Sequence, residues 1–325
     1  GFCRISTLTS AMNNKHLTIY WGEELGRYGF GEEHPLRQDR LAAFRVAAIS
    51  AGIDRSVEIA APMACNVTDL ILFHEPAYVQ RVEEQSTIGR GYLDCGDTPA
   101  YPGIYDAGRF VVGTGLAAIS RIMEHNWHRA FVPIGGLHHA RRDGAAGFSV
   151  FNDCGIIIEA LRHRFGIARV AYVDIDAHHG DGVYYAFEED PDLAIADIHE
   201  DGRYLYPGTG TANEDGKGVA RGTKLNIPLA PGSTDSDFFR AWSQVESFVE
   251  DHKPEFIIFQ AGVDSMDGDP LTHLRFSVAA HTHATRRLVE LANKYAEGRL
   301  LVYGGGGYNL NNVANGWCAV CKELI

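Results

Sequence analysis

The sequence predicts an α/β fold: a single domain of three layers, α/β/α, around a central, mainly parallel sheet. Two observations carry this. Short β-rich apolar runs alternate with longer amphipathic stretches, which is how parallel strands joined by crossover helices read in sequence. The residues best suited to chemistry also follow those runs directly, at the carboxyl ends of strands, where open α/β sheets bind ligands.

Taken in order, Arg129–Pro133 reads as the first such strand and is followed by GGLHHA. Gly155–Arg164 has the apolar spacing of a helix, and Val170–Asp174 is a second strand run, leading into DAHHGDG. Leu193–Ile198 is a third strand, and Asp237–Asp251 a second helix. Phe256–Gln260 leads into GVDSMDGDP, and Leu300–Tyr303 into GGGGYN. Near the C-terminus Trp317, Ala319 and Val320 surround Cys318 and Cys321 as an apolar helix, so this lone CxxC reads as core; no second pair completes a zinc site. Nothing resembling a linker, repeat or low-complexity tract divides the chain. One catalytic domain over residues 16–325 is expected, preceded in 1–15 by a disordered or non-native extension.

At 325 residues and 45% hydrophobic composition the chain can bury a sizeable core. Its net charge of −13 argues against a phosphate-binding surface, because nucleic-acid affinity rests on clustered Lys and Arg. A cationic substrate fits that balance, and so does a plain solubility role for the acidic surface. Six scattered cysteines in a chain of this length point to reduced thiols and a cytoplasmic setting. No apolar run is long enough for a membrane span, and residues 1–15 lack the apolar stretch of a signal peptide.

The segment Asp174–Gly182 is the most informative. Residues two apart in an extended chain share a side, so Asp176 and His178 can grip one metal ion, and carboxylate plus imidazole suits Zn²⁺. A catalytic zinc needs a third protein ligand and an open position; Asp264, after the Phe256–Ala261 run, supplies the ligand. Alone, an Asp-x-His reads more readily as a hydrogen-bonded loop than as a metal site. His138 and His139 offer the base that activates water and the acid that protonates a leaving amine. Asp174 and Asp181 remain to orient them as two His–Asp pairs, although an isolated His-His reads as loop polarity or a metal ligand. Gly304–Gly307 permits close approach and presents Tyr308, whose phenol can donate to a developing oxyanion; a buried Tyr on a Gly-rich turn is the alternative. GGGGYN lacks both the P-loop Lys-Ser/Thr and the GxGxxG spacing.

Together, GGLHHARRDGAAGF, DIDAHHGDG, YPGTG, QAGVDSMDGDP and YGGGGYN stand in the order and spacing of histone deacetylases and their bacterial relatives. The resemblance runs from about Tyr20 to the C-terminus. It implies the arginase/deacetylase fold and zinc-dependent hydrolysis of an acyl amide, foremost the acetyl-lysine side chain. It implies one Zn²⁺ per chain on Asp176, His178 and Asp264, with Tyr308 polarising the carbonyl. His139 backed by Asp181 is implied as general base and acid, and His138 backed by Asp174 as its electrostatic partner. Phe148 and Tyr206 would wall the substrate tunnel with Gly147 and Gly306, Tyr206 standing where Phe is usual, and Asp97 would hold the substrate backbone at the rim. A structural K⁺ or Na⁺ is implied at Asp174, Asp176, His178 and Asp197. YGFGEEHPLRQDR aligns Arg40 with the arginine of the family's internal cavity.

GGLHHA resembles the class I and acetoin-utilisation branch, whereas IHEDGRYLYPGTG is closer to class II enzymes and acetylpolyamine amidohydrolases. Acyl-lysine in a protein or peptide and an acylated polyamine therefore both stand as substrates, with no nucleic-acid or membrane partner. An arginase-like ureohydrolase would want an Asp-x-Asp where Asp264-Ser265-Met266 stands, and a catalytically silent acyl-lysine binder would have lost one of these groups. Acyl length, oligomeric state and the choice between Zn²⁺ and Fe²⁺ lie outside these motifs.

Overall fold

The computed structural model describes residues 15–125 and 128–325. Eight strands form one sheet: β1 Leu17–Tyr20, β2 Glu58–Ala60, β3 Arg129–Val132, β4 Val170–Asp174, β5 Leu193–Glu200, β6 Lys224–Leu229, β7 Phe256–Gln260 and β8 Leu300–Tyr303. Their order is β2-β1-β3-β8-β7-β4-β5-β6. Every neighbouring pair is parallel. Strands β4, β5, β7 and β8 are buried along their whole length. Burial on both faces is why they read as unbroken apolar runs rather than alternating ones.

The five expected strands form, β5 running two residues further than the apolar run indicates. Three strands were not anticipated: β1, and the two edge strands β2 and β6. β2 has only three residues, and β6 carries Lys224, Asn226 and Pro228, a composition edge positions tolerate. The buried Lys224 ammonium donates to the carbonyls of Asp190 at 2.7 Å and Leu193 at 2.5 Å, which satisfies it where β5 begins.

Helices cover the sheet in two packed sets. Arg40–Ser50, Leu310–Leu324, Val278–Tyr295 and Asp235–His252 touch one another in that sequence, while Ile104–Glu124 packs against Asp153–Phe165 and Pro76–Ile88. The expected helix at Gly155–Arg164 begins at Asp153 because the Asn152 side chain accepts the Gly155 N–H. A capping box between Thr234 and Asp237 starts the other at Asp235. Cys318 and Cys321 are buried in Leu310–Leu324, in keeping with a core role. Among the described residues Cys65, Cys95, Cys154, Cys318 and Cys321 are free thiols, and no helix is long and apolar enough to cross a membrane. The extension expected at 1–15 falls, apart from Lys15, outside the described residues.

What positions the site is the register. Val132 lies beside Tyr303, Tyr303 beside Gln260, Gln260 beside Asp174, and Asp174 beside Asp197. Four adjacent strands, β3, β8, β7 and β4, thus end level with one another while β5 runs three residues further, and the loops leaving them meet above one edge of the sheet.

Candidate active site

Immediately past β4 the chain presents Asp176 and His178, and the loop after β7 brings Asp264 to them. One ligand atom from each lies within 4.8 Å of the others, and all three residues are buried. His178 Nδ1 is 2.8 Å from Asp264 Oδ2 and 3.2 Å from Asp176 Oδ1. Two buried carboxylates this close require positive charge between them. Burial, reinforced by the charge of Asp176, pushes the Asp264 carboxyl up to about 8. Burial alone would depress His178, but hydrogen bonds to Asp176 and Asp264 carry it up to about 10.

The carboxylates are aimed by their other partners. Asp176 Oδ2 accepts from Gln260 Nε2 at 2.9 Å and the Gly306 N–H at 2.8 Å, while Asp264 Oδ1 accepts the Ala177 N–H at 2.8 Å. Asp176 Oδ1 and Asp264 Oδ2 are left facing the centre with the imidazole. An oxygen–nitrogen–oxygen set with its outer oxygens held by hydrogen bonds fits Zn²⁺. Gly306 allows the closeness: a Cβ there would lie 2.5 Å from Asp264 Oδ2 and 2.8 Å from Asp176 Oδ2.

The loop after β3 sets the two histidines side by side, ring centroids 4.1 Å apart. His138 Nδ1 is 2.6 Å from Asp174 Oδ2, and His139 Nδ1 is 2.7 Å from Asp181 Oδ1. Burial first, then the neighbouring His138, lowers the His139 pKa. Burial and the adjacent Asp197 and Asp176 raise Asp174 well above the usual carboxylate range, and Tyr172 donates to its Oδ2 at 2.7 Å.

Tyr308 stands across the site, its ring 6.5 Å from His178 and 6.0 Å from Phe148. Enclosure, with Asp264 and Asp176 nearby, holds its phenol well above the usual value, so it keeps its proton as a donor. The open side is a cleft with about 220 Å³ of water-accessible space, lined among others by Asp97, Gly147, Phe148, Tyr206 and Tyr308, with His139 and His178 at its base. Tyr206 is half exposed at the mouth, and Asp97 is exposed beside it. A Cβ on Gly147 would lie 2.7 Å from the His139 ring and 2.9 Å from the Tyr206 ring, so only glycine leaves both rings in place. On the inner side Arg40 lines a smaller cavity and donates to the carbonyls of Gly307 at 2.9 Å and Gly305 at 2.6 Å. Asp197 accepts the Gly180 N–H at 2.9 Å and pairs with His199 Nδ1 at 2.8 Å.

All the residues singled out in the sequence gather here, and several structural supports were not foreseen. Asp153 accepts the N–H groups of Gly136 at 2.8 Å and Leu137 at 2.7 Å, fixing the loop that carries both histidines. Asp269 accepts the Tyr308 N–H at 2.9 Å, and Gln260 bridges Asp176 to the loop after β3 through the Gly136 carbonyl at 3.1 Å. Gln260 alone carried a signal: an amide closing an otherwise apolar buried strand must find partners.

An eight-stranded parallel sheet with this assembly along its carboxyl edge is the arginase/deacetylase fold, and the class it defines is an amide hydrolase. Residues 34–324 match the Histone deacetylase domain family. The chain is 35% identical over 310 residues to Acetoin utilization protein AcuC of Bacillus subtilis (strain 168), covering 91% of this chain and 79% of that protein. It is 29% identical over 331 residues to Histone deacetylase B of Dictyostelium discoideum, covering 98% and 76%. The crystal structure of the HDA15 HD domain superposes with a TM-score of 0.87 at 28% identity, covering 95% of this chain and 88% of that one. The chain belongs to the histone deacetylase family: it is a deacetylase, hydrolysing an amide of an acetylated substrate.

Proposed function

We propose that the chain is a zinc-dependent deacetylase of Nε-acetyl-lysine, its catalytic domain extending over residues 16–325. The observation that carries this is the convergence, at the base of one aromatic-walled cleft, of a three-donor metal triad, two His–Asp pairs and a protonated phenol. Asp176, His178 and Asp264 would hold Zn²⁺, which when bound would supply a Lewis acid for the amide carbonyl and the attacking water. Since Asp181 takes the Nδ1–H of His139, Nε2 carries the lone pair and receives a proton from that water. The lowered His139 pKa keeps this ring neutral and ready to accept. Tyr308 donates to the carbonyl oxygen as negative charge grows there. His139 then returns the proton to the departing nitrogen, and the amine and acetate leave. His138, paired with Asp174, steadies the charge that His139 gains. Phe148 and Tyr206 flank the uncharged aliphatic stem, and Asp97 holds the substrate backbone at the rim.

The test is turnover of a fluorogenic acetyl-lysine peptide beside N-acetylputrescine, with and without a hydroxamate chelator. Hydroxamate-sensitive cleavage of the peptide is the expected result. Cleavage of the acetylpolyamine alone would move the substrate to small amines, and cleavage of neither would sink the acetyl-lysine reading.

A further inference from the structure

Phe148 has a φ of +69°, in the left-handed region that bulky residues avoid. Among the described residues the two other non-glycine residues with positive φ, Lys253 and Glu297, lie just beyond helix ends, where such a turn is ordinary. Phe148 lies in a tight turn: Ala146 and Ser149 exchange both backbone hydrogen bonds, at 3.1 and 2.8 Å, around Gly147 and Phe148, whose φ values are both positive. That combination belongs to a type I′ turn, whose second central position normally carries glycine. An aromatic residue persists in such a backbone only where its surroundings over-determine it.

The surroundings do. The Phe148 N–H donates to Thr98 Oγ1 at 3.0 Å, and its carbonyl accepts from the Tyr28 hydroxyl at 2.6 Å. Tyr28 in turn accepts the Val150 N–H at 3.0 Å, so one buried phenol clamps the turn on both sides of Ser149. Thr98, fully buried, donates to Asp94 Oδ2 at 2.6 Å. Asp94 Oδ1 accepts the N–H groups of Gly96, Asp97 and Thr98, shaping the loop that carries Asp97. Thr98 is therefore the shared joint between the rim loop and the cleft wall.

From this we infer that Thr98 and Tyr28 are positioning residues that set substrate specificity: they hold Phe148 in a backbone it would otherwise leave, and so fix the bore of the cleft for a narrow, unbranched stem. The inference rests on the acyl-lysine reading for the identity of the stem. Losing either hydroxyl strands a Phe148 polar group and removes the reason for its positive φ; the turn relaxes and the ring withdraws from its edge-on contact with Tyr308, 6.0 Å away. Neither side chain lines the outer cleft; Tyr28 does line the inner cavity beside Arg40, so Thr98→Val is the variant that leaves the walls of both cavities unchanged apart from Phe148.

The experiment compares wild type with Thr98→Val, Tyr28→Phe and Thr98→Ser. Binding of an alkyl-linker hydroxamate and a phenyl-linker hydroxamate is measured by calorimetry on zinc-loaded protein. kcat and KM are measured on acetyl-lysine peptide and on its 4-(acetamidomethyl)phenylalanine counterpart. Thr98→Val and Tyr28→Phe should shift linker selectivity toward the phenyl probe by about tenfold and raise KM for acetyl-lysine several-fold, with kcat changed much less. Thr98→Ser, which keeps the hydroxyl, should behave as wild type. Unchanged linker selectivity in both Thr98→Val and Tyr28→Phe would overturn the assignment, whatever their melting temperatures. Loss of acetyl-lysine turnover in wild type, with linker selectivity still shifting in the variants, would sink the acyl-lysine reading and leave the wall assignment standing.

Discussion

At the scale of single residues the site divides into groups that touch the reacting atoms and groups that hold those in place. His139→Ala and Tyr308→Phe should each lower kcat by about two orders of magnitude or more with the metal retained, since they remove a proton acceptor and an oxyanion donor. Asp264→Ala should instead empty the metal site, which metal analysis of the purified protein distinguishes. Full activity of Tyr308→Phe on every amide tested would remove Tyr308 from its role. Gln260→Leu deletes the donor to Asp176 Oδ2, and metal affinity measured by chelator competition should weaken by about 10- to 100-fold. The groups that bear chemistry were legible in the sequence because their types are rare in combination and follow strands. Asp153 and Asp269 were not, because a carboxylate that accepts backbone N–H groups from a distant loop looks in sequence like any helix-start or turn acid.

At the scale of elements, the Gly-rich loop after β8 depends on the helix Leu310–Leu324 behind it. Trp317, fully buried, donates from its indole to the Gly304 carbonyl at 2.8 Å, and the Arg40 guanidinium lies over the same ring at 5.1 Å. Trp317→Ala should cost about 3–5 kcal/mol in urea denaturation, the range for emptying an aromatic core site. Gly147→Ala tests the cleft wall differently. Its Cβ would press on the His139 and Tyr206 rings from a backbone of positive φ, so activity should fall by about tenfold or more and the urea midpoint should fall with it. The strands bearing these loops were readable because both of their faces are buried, whereas β2 and β6, short or polar at the sheet edges, carry no such pattern.

For the whole molecule, stability should depend on pH through histidines locked neutral inside it. His74 accepts the Asn152 N–H on Nε2 at 2.9 Å and donates from Nδ1 to the Arg142 carbonyl at 3.2 Å, so a second proton would break the first bond. Burial lowers its pKa to about 4, and burial with Arg121 nearby lowers His128 to about 4 as well. Both lie below the unfolded value near 6.5, so the unfolded chain binds more protons between these limits. The contribution is complete above about pH 6.5 and is lost as pH falls toward 4. Asp153, raised to about 6 by burial, works in the opposite sense, so the His74 share is best isolated by difference. His74→Gln should destabilise by about 1–3 kcal/mol at pH 7, and that penalty should shrink measurably by pH 5; an equal penalty at both pH values would mean His74 is not held neutral. By itself the sequence determined the α/β class, the strands buried on both faces and the residues able to bind a metal, move a proton or donate to an oxyanion, since periodicity and side-chain chemistry are local properties. Only the tertiary structure decided the register that levels four strand ends, the carboxylates and amide that aim the ligands, and the clamp on Phe148, because each joins residues far apart along the chain.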